Sequence, residues 1–88
     1  MGEYWKPVNL TRGEFIHPHH VNEGLKLGEW NHPKSGVTKA MKAHDWKSTD
    51  DVRAVSDYGG QLQLSGRGDA PWPDFDTLEE DFVEVGWP

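Results

Sequence analysis

Asp51-Val52-Arg53-Ala54-Val55-Ser56, Asp57-Tyr58-Gly59-Gly60 and Gln61-Leu62-Gln63-Leu64 follow one another without a break and read as strand, turn, strand. Val52, Ala54 and Ser56 alternate with Arg53 and Val55, the period of two imposed by a pleated strand. Two adjacent glycines behind Asp57 supply turn chemistry, and alternation resumes at Gln61. A hairpin over residues 51–64 makes this a sheet protein, and the remaining elements must cover that sheet.

Upstream, Asn31–Ser35 is a turn containing Pro33 and a serine suited to capping a helix. Val37, Ala40, Met41 and His44 then fall on one face of an amphipathic helix over roughly 36–45, with Lys39 and Lys42 off the stripe. Further back, Glu3–Asn9 suits a strand, and Pro7, which has no N–H to give a ladder, places it at a sheet edge or bulge. Thr11-Arg12-Gly13 turns it into Glu14-Phe15-Ile16, a first hairpin. Pro18 ends that strand, and residues 19–24 read as loop or a short helical turn. Leu25–Trp30 alternates apolar and polar residues and reads as a short strand.

Downstream, residues 65–73 are rich in Gly and Pro and read as a linker. Phe75, Leu78, Phe82 and Val85 then recur at helical spacing behind Asp76, an expected N-cap. The expected fold class is α+β: a small antiparallel sheet of two hairpins, one central helix and one C-terminal acidic helix. Residues 1–64 form the domain, 65–73 the linker, and 74–88 the acidic aromatic helix packed on it.

Composition narrows the function classes. Eighty-eight residues make one small domain. Leu, Ile, Val and Phe number only 17, a thin core stock that ten aromatics, five of them Trp, supplement with large apolar area. Self-association to a homodimer is one further way to cover apolar surface. Without cysteine there is no disulfide, thiolate nucleophile or Cys-ligated zinc. No apolar run approaches the 18 residues or so of a membrane span, and residues 1–10 lack a signal-peptide core, so the expected location is cytoplasmic.

Two stretches carry a family resemblance. Val8-Asn9-Leu10-Thr11-Arg12-Gly13-Glu14-Phe15-Ile16-His17-Pro18-His19-His20, with Gly24-Leu25-Lys26-Leu27 and Glu29 behind it, is similar to the opening of a family of short uncharacterised bacterial proteins, some carried by phages. Trp46 followed by Asp51-Val52-Arg53-Ala54-Val55-Ser56-Asp57-Tyr58 resembles a second segment of that family, with Ser56 where its pattern has Gly. The resemblance spans residues 4–58. It implies a folded domain of bacterial or phage origin and carries over no activity.

Two constellations remain. Three of five histidines lie in His17-Pro18-His19-His20; on an extended segment His17 and His19 share a face and offer half of a site for zinc or another divalent cation. Their plainer reading is as hydrogen-bonded structural residues. No signature of nucleophilic, phosphate-binding or dinucleotide chemistry is present, so the chain does not read as an enzyme, although a metal-dependent hydrolase at the histidines is the third alternative.

The stronger constellation is the tail. Residues 1–68 carry nine Lys/Arg and eight Asp/Glu, whereas residues 69–88 carry seven acids and no base. Such a tail repels nucleic-acid phosphates and attracts basic protein. Trp72, Phe75 and Trp87 are candidate anchors, and Asp76, Glu79, Glu80, Asp81 and Glu84 the candidate steering charges, for a basic host or bacterial partner. The plainer reading of the apolar stripe is that it packs back and completes the core. The leading expectation is a non-enzymatic protein-binding module of the kind a phage inhibitor or anti-defence protein uses. The alternative is a small metal- or ligand-binding protein.

Overall fold

In the computed structural model, which describes residues 2–87, five strands form one mixed sheet in the order β4-β3-β1-β2-β5. β1 (Trp5–Asn9) and β2 (Glu14–Phe15) are the first expected hairpin, turned at Gly13 with φ +69°. β3 (Val52–Ser56) and β4 (Gln61–Ser65) are the second. β5 (Val83–Glu84) adds to the far edge of β2 in parallel, so the sheet is not purely antiparallel.

β1 lies at the centre of the sheet, not at an edge. Residues in an antiparallel ladder turn their N–H and C=O groups to alternate sides. Lys6 and Val8 serve the β3 side, and Pro7 faces β2, where its carbonyl accepts from Ile16 N at 3.1 Å. Its missing donor falls where β2 has already ended.

α2 (Gly36–Ala43) forms as its stripe requires. Ser35 Oγ accepts from Thr38 N at 3.0 Å as the N-cap, Val37 and Ala40 are fully buried, and Lys39 and Lys42 are exposed. Gly36 is obligatory at the first turn, because a Cβ there would meet the Val21 carbonyl oxygen at 2.1 Å. A 3-10 turn at Pro18–Val21 follows β2.

Residues 25–30 do not make a strand; Leu27–Trp30 is one helical turn, α1. Leu27 and Trp30, three apart, both face the core, and Trp30 Nε1 donates to the Trp5 carbonyl at 3.1 Å. The Glu29 carboxylate accepts from Lys26 N at the start of the turn.

α1, α2 and the 3-10 turn cover one face of the sheet, burying Ile16, Val21, Trp30, Val37, Ala40 and Ala54. Val8, Phe15 and Val55 on the opposite face are covered by Leu78, flanked by Trp72, Phe75 and Phe82. Both faces of β1 and β3 are therefore buried, which explains their near-continuous burial despite alternating chemistry. The radius of gyration is 11.6 Å, close to the roughly 12 Å of a compact chain this long.

Candidate protein-binding face

The C-terminal segment is a strap. From Trp72 to Phe82 it lies on one face of the sheet; at β5 it passes the β2 edge; from Val85 to Trp87 it lies on the other face. Val83 N donates to Gly13 O and Val85 N to Phe15 O, each at 2.9 Å. Val85 enters the helical-face core, the Gly86 carbonyl is 2.6 Å from His44 Nε2, and the Trp87 ring lies against Gly36.

Two buried cations of the sheet hold the strap's aromatics. Lys6 Nζ sits 4.5 Å from the centroid of Phe75, and Arg53 Cζ 4.5 Å from that of Trp72. Arg53 is fully buried and fully paired: its Nε and Nη2 donate to the two oxygens of Asp51 at 2.9 and 2.8 Å, and its Nη1 to the Ala70 carbonyl at 2.9 Å. The expected linker is thus fixed to β3 through Ala70.

The expected long C-terminal helix is shorter than its stripe suggests. Residues Phe75–Thr77 form a 3-10 turn capped by Asp74, whose Oδ1 accepts from Asp76 N at 3.0 Å; Asp76 itself is not the cap. One α turn, α3 (Leu78–Asp81), follows and gives way to β5. The strand wins because β2 offers Phe82–Val85 an open edge, whose backbone bonds a continuing helix could not use.

Of the proposed anchors, Trp72 and Phe75 are half-buried against the sheet, and Trp87 is 47% exposed. Val83, four residues before it and not singled out by the residue pattern, is 67% exposed. Asp69, Asp74, Asp76, Glu79, Glu80, Asp81 and Glu84 are all exposed. Among the described residues only Glu84 of this set contacts a basic side chain, the His20 imidazole through Nδ1. Six carboxylates are left unneutralised on a segment whose apolar side is fixed to the sheet.

The histidine segment assembles differently from its sequence reading. In the 3-10 turn His17 stacks on His20, with centroids 4.3 Å apart and planes 19° apart; His17 and His19 are 5.6 Å apart and tilted by 38°. His17 Nδ1 is buried without a hydrogen-bond partner among the described residues. Burial, with Lys6 nearby, lowers the His17 pKa. Among the described residues no three His, Asp or Glu side chains converge as metal ligands.

A different acid cluster serves structure. Asp50 is buried and accepts from Asn9 Nδ2 at 2.9 Å and Lys47 N at 3.0 Å. These bonds, the backbone N–H foremost, lower its pKa, and the Arg53 guanidinium foremost lowers that of Asp51. No family model, curated protein or solved structure matches this chain.

Proposed function

We propose that the chain is a non-enzymatic protein-binding module whose anionic C-terminal face docks on a basic protein surface, as a phage-borne inhibitor of a nucleic-acid-handling complex would. The observation that carries this reading is the set of six exposed carboxylates without cationic partners on a strap docked along its apolar side. A fixed segment loses little conformational entropy on binding, so its field is presented already ordered. Asp76, Glu79, Glu80 and Asp81 steer, with Glu84 held beside His20 at their end, and Trp87 with Val83 supplies apolar anchorage. Trp72 and Phe75 serve the face by holding the strap in place.

Glu79→Lys, Glu80→Lys and Asp81→Lys together test it, since each reversal changes the charge by two and the three bring the net charge from −6 to zero. The full chain and this variant, both folded by circular dichroism, are used as bait in bacterial lysate at low and high salt. A basic protein retained at low salt by the unaltered chain only, and released at high salt, is the expected result. Equal retention by both chains, or retention indifferent to salt, would overturn the proposal.

A further inference from the structure

On the helical face of the sheet, where α1 and α2 meet the start of β3 and the end of β4, lies a cavity of about 220 Å³. Its inner wall is Trp30, Met41, Trp46, Val52 and Leu64, and its exposed rim carries Asn31, Lys47 and Ser48. Both indoles are fixed through their own N–H groups: Trp30 Nε1 donates to the Trp5 carbonyl at 3.1 Å and Trp46 Nε1 to Glu14 Oε1 at 2.8 Å. The hydroxyls of the wall are committed as donors too, Thr38 Oγ1 to the His32 carbonyl at 2.7 Å and Ser65 Oγ to the Asp50 carbonyl at 2.8 Å. The interior is therefore preformed and aromatic, and suits a flat apolar ring. A ring nitrogen buried there would lose its water and find no free side-chain donor. A void of roughly 150 Å³ holds one benzene ring, so this one takes two fused rings.

Charge at the mouth selects the substituent. The chain has fifteen acids, yet among the described residues none lines the cavity. Residues 31–49 carry four exposed lysines, Lys34, Lys39, Lys42 and Lys47, against one acid, Asp45. Lys47 is on the rim; its contact with Asp45 joins two exposed side chains, a pairing that solvent keeps weak. Lys42 follows Met41 and stands four residues after Thr38, on the solvent side of the same flank of α2, with no ion-pair partner among the described residues. The acids at residues 76–81 belong to a segment packed on the opposite face of the sheet.

We propose that this cavity binds a small aromatic acid, its two fused carbocyclic rings against Trp30 and Trp46 and its carboxylate turned out to Lys47. The Ser48 hydroxyl and the Asn31 amide on the same rim are further donors to that carboxylate. The site is separate from the anionic strap and does not depend on what the strap binds.

NMR titration of the full chain with naphthoate tests this, read at the Trp30 and Trp46 indole N–H and Met41 methyl signals. The expected result is one saturable site at which these signals move together. Naphthamide, the same rings without the charge, binds several-fold more weakly. Adenosine monophosphate, an anion whose ring nitrogens would be buried, leaves the three signals in place. Lys47→Gln, at an exposed position, keeps the fold and weakens naphthoate binding up to about fivefold, with naphthamide unchanged. Absence of a saturable shift at these residues up to the solubility of naphthoate overturns the inference. So does an amide or a nucleotide that binds as tightly as the acid, or naphthoate binding indifferent to Lys47→Gln.

Discussion

Arg53 shows how one residue links sheet, linker and strap. Its guanidinium is fully buried, pairs with both oxygens of Asp51, donates to Ala70 and stacks on Trp72. Replacing it by alanine leaves Asp51 without its cation and the strap without its clamp. Breaking such a pair costs about 3–5 kcal/mol, and urea unfolding of Arg53→Ala checks the loss. Titration acts at the same scale. His17, with its pKa lowered from 6.5, stays neutral in the folded chain where the unfolded chain takes up a proton. Stability is therefore complete above pH 6.5 and falls as pH drops toward the lower folded value. Asp50 and Asp51, lowered from 3.8, contribute fully above that pH and lose their contribution as pH falls through the folded values. Urea midpoints should thus decline in two steps, and a His17→Leu chain should keep only the acidic one.

Among the elements, the strap is the least separable. Its Leu78, 1% exposed against the sheet, anchors it, and Leu78→Ala should cost about 2–5 kcal/mol in thermal or urea unfolding. A chain ending at Gly68 removes Trp72, Phe75, Leu78 and Phe82 and leaves only Leu10 of the apolar residues packed on Val8, Phe15 and Val55, so it should not fold cooperatively; far-UV circular dichroism with a melting scan decides it. Ser35→Ala is the milder comparison, about 1 kcal/mol for a lost N-cap. Periodicity made α2 and the β3–β4 hairpin legible, because their side chains alternate at one unambiguous period. Leu25–Trp30 deceived because six residues with Leu27 and Trp30 three apart satisfy strand and helix alike, and the Trp30 bond to Trp5 that decides between them is not local. Pro7 misled for a related reason: the harm of a missing donor depends on which side of the strand it faces. The stripe Phe75, Leu78, Phe82 and Val85 marked apolar residues correctly, yet they divide between the two faces of the sheet. No local rule reveals a segment that turns around an edge.

For the whole molecule, function follows from where charge is left over. The body's charges nearly balance, whereas the strap turns its apolar side inward and keeps its acids in solvent. The acidity of this face was readable from composition, but its anchors were not. Trp72 and Phe75 are engaged by buried cations, while Val83 is exposed where the strap rounds the sheet edge and Trp87 is half-exposed against Gly36 on the far face. Native-state hydrogen exchange of the full chain tests this most directly, through the amides of Phe82, Val83 and Val85 that bond Leu78, Gly13 and Phe15. They should exchange with the same opening free energy as the β1–β3 ladder, because the strap and the sheet unfold together. Exchange at the rate of a free peptide, with β3 still protected, would show the strap to be a loose appendage and its anionic face no fixed surface.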